Sequence, residues 1–100
     1  MAATPKLFHR GAAATSSTTL YTVPAATTAV LTDIVVSNTS SSQQYVTMTV
    51  DGVNILPTVP VSANTVITIQ PKTVIPTGDI VAGFATSADV KLHVSGVEIS

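Results

Sequence analysis

Cysteine and tryptophan are both absent from this chain. Without thiols there is no disulfide, no zinc–thiolate site and no redox pair. Two histidines, His9 and His93, are too few and too far apart to suggest a metal cage. Aromatic residues make up only 4%, short of the set of platforms on which a carbohydrate-binding face stacks sugars. Charge is scarcest of all, at 9% against roughly 25% in ordinary soluble proteins. No segment approaches the ~18 apolar residues of a membrane span. The opening MAATPKLFHRG lacks an apolar run flanked by positive charge, so no signal peptide is read there. The expected location is therefore a cytoplasm, or release by lysis.

What is present is a chain of 100 residues with 45% hydrophobic content, normal for one globular domain. In a scaffold this small, burial at ~25 cal/mol per Å² and ordering entropy of ~1.5 kcal/mol per residue nearly cancel. With no disulfide or metal to add stability, oligomerisation is the remaining source. The solvent-facing positions are filled by Thr, Ser, Ala and Asn instead of charge, and a surface that neutral is poor at preventing association. Such a surface suits protein–protein contact over most of its extent, with a bland secreted domain as the alternative.

The periodicity is that of strands. Val46, Met48 and Val50 alternate with Thr47 and Thr49, which puts the two sets on opposite faces. Val30–Val36 is apolar on both faces except at Thr32 and Asp33, the pattern of a central strand. Together with the polar connection from Ser37 to Gln44, residues 28–50 read as a long, half-buried hairpin. Asp51-Gly52 is a tight turn, and Pro57 and Pro60 bracket a segment that cannot be a central strand. Val61-Ser62-Ala63-Asn64-Thr65 repeats the Val23-Pro24-Ala25-Ala26-Thr27 pattern, one turn solution used twice. Lys72–Ile75 reads as a crossing between sheets, and Pro76-Thr77-Gly78-Asp79 as a type II turn. Gly83 marks a bulge or a close neighbour. In the last strand Val90, Leu92 and Val94 face one way and Lys91, His93 and Ser95 the other. The expected fold is all-β: a single antiparallel β-sandwich, jelly-roll or immunoglobulin-like, of seven to eight strands over residues 18–100.

Residues 1–17 lack such patterning and read as a flexible N-terminal arm. The arm carries Lys6 and Arg10 and no acid, on a body of mildly acidic balance. Its island of Lys6, Leu7, Phe8 and Arg10 is the candidate protein interface, with Leu7 and Phe8 as anchors on a neighbouring subunit. A solvated tail is the competing reading. Two cations cannot neutralise enough phosphates for nucleic-acid binding.

No nucleophile elbow, P-loop, zinc motif or EF-hand spacing occurs, so no catalytic, cofactor or metal residue is assigned and an enzyme is not expected. Asp51, Asp79 and Asp89 sit in turn sequences. Asp33 interrupts an apolar strand, either facing solvent or pairing with a cation across an interface. His93 lies mid-strand without a partner motif and reads as a surface histidine. Asn38-Thr39-Ser40 matches a glycosylation sequon but reads as a turn.

Four stretches carry a resemblance: Leu20-Tyr21-Thr22-Val23-Pro24-Ala25, Val35-Val36-Ser37-Asn38-Thr39, Thr47-Met48-Thr49-Val50-Asp51-Gly52-Val53, and Leu92-His93-Val94-Ser95-Gly96-Val97-Glu98. Together they resemble small virion structural proteins of tailed bacteriophages, described as head decoration (cement) or minor structural and tail components. The resemblance runs from Leu20 to the C-terminus and rests on strand and turn signatures. Relatives tend to carry Gly where Ala26 stands, so the turn is expected to avoid positive φ. The resemblance implies a decoration protein that binds between major capsid subunits on the virion surface after assembly in the host cytoplasm. It also implies a homo-oligomer, a trimer by analogy, needing no cofactor and having no nucleic-acid or membrane partner. A tail-associated or receptor-binding module that takes host glycan is the alternative.

Overall fold

Asp51 and Gly52 reverse the chain, both at positive φ (51° and 78°) as a two-residue hairpin turn of type I′ requires. The computed structural model describes residues 3–100, and four strand pairings nest one outside the next around that turn. Innermost, β4 (Gln44–Val50) pairs with β5 (Val53–Val61). Next, β3 (Thr28–Asn38) pairs with both β6 (Thr65–Ile69) and β7 (Thr73–Ile75). Outside these, β2 (Thr18–Thr22) pairs with β8 (Ile80–Ala85), and β1 (Ala3–Ala12) pairs with β9 (Val90–Ile99).

The nested pairs fold over into two antiparallel sheets. The larger runs β1-β9-β3-β6, with β7 also on β3; the smaller runs β2-β8-β4-β5. Pairing first with last and second with penultimate is jelly-roll order, whereas immunoglobulin sheets place successive strands A and B side by side. Over the described residues the result is a nine-stranded β-sandwich. The alternating residues face inward: Ala29, Leu31, Ile34 and Val36 from β3, Val46 and Met48 from β4, Val90, Leu92 and Val94 from β9, all buried. Val50, in phase with Val46 and Met48, and Ile67 and Ile69 of β6 are partly buried at its margin. Thr68 and His93 are exposed, as their phase requires, and Thr47 and Thr49 are half-covered.

Strands β3 and β4 are not a hairpin. They lie in opposite sheets, and residues 39–43 cross between them. Both strands have an apolar face, so facing one another across the core buries both, which lateral pairing would not do. Asn38 ties the crossing down. Its buried Nδ2 donates to the carbonyls of Ser42 (3.0 Å), Val61 (3.0 Å) and Ser62 (3.3 Å), while its Oδ1 accepts from the Ser40 amide (2.9 Å). A side chain so engaged is a turn fixture and not a glycan acceptor.

Residues 3–12 are likewise not a free arm: they form β1, hydrogen-bonded along β9. Phe8 is 7% exposed and stacks on Tyr21, ring centroids 4.0 Å apart. Burial in the chain's own core offsets the entropy that would have kept an arm mobile. Thr73–Ile75, read as part of a crossing, pairs with β3, and the crossing follows it. There Gly78 takes φ 87° and the Asp79 amide donates to Pro76 O (3.2 Å), the type II turn expected.

The repeated turn is real, and its geometry corrects the reading of Ala26. Ala26 and Asn64 occupy matching positions at φ 56° and 55°. Ala26 thus adopts the left-handed region that the absence of Gly was expected to forbid. The hydroxyls of Thr27 and Thr65 close the two turns, onto Ala25 O (3.1 Å) and Ser62 O (2.6 Å).

Candidate functional site

The outward face of the larger sheet is where unspent apolar surface collects. Register sets Val74 beside Val30, Val30 beside Val97, and Val97 beside Pro5. This places one apolar row across β7, β3, β9 and β1. Val74 is 64% exposed, and Val66 and Leu7 on the same face are also exposed. In most antiparallel sheets that face water, this side is polar.

Next to the row lies a shallow groove of ≈470 Å³, whose lining includes Lys6, Leu7, Arg10, Thr32 and Asp33. It exists because β3 slips register between Leu31 and Asp33, a bulge that leaves Thr32 as the extra residue. The Thr32 hydroxyl is positioned for Ser95 O (3.2 Å) and Asp33 Oδ2 (3.3 Å). Asp33 therefore sits opposite Ser95 on the outward face and lines the same groove as Lys6 and Arg10.

The structure brings together three of the four residues singled out from sequence. Lys6 and Arg10 are exposed, and they bracket Leu7, which is 45% exposed. Phe8 is the exception and does not anchor on a neighbour: β1 slips register between Leu7 and His9, and the bulge turns Phe8 inward. Sequence reasoning missed the row of Pro5, Val30, Val74 and Val97. Its one visible signal was the two-sided apolar character of β3.

Phe8 is received by a cluster at one end of the sandwich. A Cβ on Gly96 would stand 2.0 Å from Val30 O and 2.8 Å from Phe8 Cε2, so only glycine leaves room for the ring. The Tyr21 hydroxyl donates to the Glu98 carboxylate, joining β2 of one sheet to β9 of the other. Burial, reinforced by the hydrogen bond to Glu98 and its charge, pushes the Tyr21 phenol well above its ordinary value of 10.0. His9 on the adjoining stretch of β1 has a buried Nε2 with no hydrogen-bond partner. The arrangement staples the sheets together and offers no nucleophile–base pair.

A second open groove, ≈640 Å³, is lined by Ser37, Asn38, Thr39, Asn64, Thr65 and Val66. Its lining is polar except for Val66, the Asn38 and Thr65 side chains are bonded to the chain's own backbone, and it has no aromatic platform. Among the described residues, no three His, Asp or Glu side chains gather where a metal could sit, and no helix is long and apolar enough to cross a membrane. Comparison of the chain with protein-family models, with curated proteins and with solved structures finds no match.

Proposed function

We propose that this chain is a structural virion protein of a tailed bacteriophage that decorates the capsid and stabilises it by binding between major capsid subunits. In this reading it works on the virion surface as a homo-oligomer, a trimer by analogy with the proteins it resembles. The observation that carries the reading is the apolar row of Pro5, Val97, Val30 and Val74 on an outward sheet face, on a molecule with 9% charge. Such a face is poorly solvated alone and gains by being covered. Contact of this kind asks for rigid shape and repetition, not for a reactive group, and many modest contacts repeated by symmetry supply the strength.

The other reading, a tail-associated module that binds host glycan, draws on the groove between Ser37 and Asn64. The two readings separate in one experiment. Cryo-electron microscopy of particles carrying the C-terminally tagged chain should place it on the head, at joints between capsid subunits. Density on the tail favours the glycan module, and particles without the chain contradict both.

A further inference from the structure

The four strands of the smaller sheet contain no Asp, Glu, Lys, Arg or His. Every charged residue that lies in a strand belongs to the larger sheet. The aromatic side chains divide as well. Phe8 and Tyr21 stack inside the sandwich. Tyr45 and Phe84 point out of the smaller sheet, because the adjoining Val46 and Ala85 are the buried, inward members of their strands. Pairing sets Phe84 opposite Thr47 and so diagonal to Tyr45, a spacing that aromatic side chains bridge. Pro60 lies opposite Tyr45 on its other side. The Thr47 and Thr58 hydroxyls meet on this face at 3.4 Å, a long contact that leaves both with bonding capacity. Thr58 stands there because β5 bulges between Leu56 and Val59 and holds it at φ 53°, rare for a β-branched residue. Backbone strain of that kind gathers at ligand sites. Pro57, Pro60 and this bulge blunt the β5 edge, and β2 at the other edge is five residues long with a slipped register. Such edges keep a neighbour's strand from adding to the sheet.

We propose that the outward face of the smaller sheet binds a neutral oligosaccharide, stacked on Tyr45 and Phe84 and hydrogen-bonded by Thr47 and Thr58. Four aromatics are few for a sugar-binding chain, but two of them standing together make one platform. The chemistry of the face selects the occupant. On the larger sheet the apolar row is continuous and suits a protein surface, whereas here rings and hydroxyls alternate. A pyranose has the same alternation: polarised C–H groups on its faces, drawn to the negative face of an aromatic ring, and hydroxyls around its rim. With no charge on any of the four strands, an acidic or basic ligand loses hydration here and finds no counter-charge. The site is separate from the groove between Ser37 and Asn64 and lies on the opposite side of the sandwich from the apolar row. The inference therefore rests on neither placement of the chain, head or tail.

The test uses the full chain labelled with ¹⁵N and hexasaccharide probes: the neutral maltohexaose, cellohexaose and mannohexaose, and the acidic hexagalacturonate. At least one neutral probe at millimolar concentration should shift the amides of Tyr45, Thr47, Thr58 and Phe84, while the acidic one leaves them in place. Tyr45 is 41% exposed, so Tyr45→Ala should melt like the parent yet bind that sugar ~5-fold or more weakly. Tyr45→Phe, which keeps the ring, should retain most of the affinity. No shift with any neutral probe, equal binding of hexagalacturonate, or unaltered affinity in Tyr45→Ala overturns the proposal. Shifts centred on residues 37–39 and 64–66 overturn it in favour of the groove. Protection of the face without sugar, appearing together with dimers in sedimentation, overturns it in favour of a second copy.

Discussion

Gly96 is the residue on which the N-terminal strand depends. Any Cβ there collides with Val30 O at 2.0 Å and with the Phe8 ring, so Gly96→Ala must displace backbone or expel Phe8. Overpacking in a core typically costs ~1–3 kcal/mol, and a clash with a carbonyl belongs at the upper end or above it. The expected outcome is a large fall in denaturation midpoint, read by urea melts. Tyr21 makes the other residue-scale prediction. Its phenol is held neutral in the fold, with its pKa raised above the 10.0 of the unfolded chain. A raised folded-state pKa contributes stability that is fully present below pH 10 and lost as pH climbs from there towards the folded value. Stability should therefore fall through the alkaline range above about pH 10, and Tyr21→Phe should flatten that fall. An unchanged alkaline slope in Tyr21→Phe would show that another group carries it.

At the scale of elements, the turns and the central strands were legible in sequence because their chemistry is local. Asp51-Gly52, Pro76-Thr77-Gly78 and the alternation of Val46 with Met48 each declare themselves within a few residues. Strand β1 was hidden because its bulge at Phe8 breaks the two-residue period at its two large apolar residues, Leu7 and Phe8. The pairing of β3 was hidden for another reason: a polar connection that closes a hairpin and one that crosses a sandwich look alike in sequence. The choice between them was made by Asn38 and by the two apolar faces meeting across the core. Of the candidate site, Lys6, Leu7 and Arg10 were readable as an island. The row they border was not, since its alignment comes from registers between strands distant in the chain. Because β1 is part of the sandwich, Phe8→Ala should cost ~3–5 kcal/mol. That corresponds to a fall in melting temperature of more than ~12 °C for a domain of this size, measurable by calorimetry. A melt that does not move would return residues 3–12 to the status of a docked tail.

For the whole molecule, the jelly-roll wiring, the scarcity of charge and the outward apolar row are what support the proposed reading of a rigid body packed against neighbours. One face has the surface for it, and the opposite sheet ends in edges blunted by proline and bulges. The measurement that tests the proposed function most directly is co-sedimentation of the purified chain with purified capsids of a tailed phage whose genome carries its coding sequence, as that proposal requires, comparing the parent with Val74→Glu. Val74 is exposed on the outward face, so the substitution should move stability by no more than ~0.5 kcal/mol. The account predicts saturable binding by the parent and a loss of at least ~10-fold in affinity with the variant, about 1.4 kcal/mol, at equal melting temperature. A parent that stays in the supernatant, or a variant that binds as tightly as the parent, would contradict it.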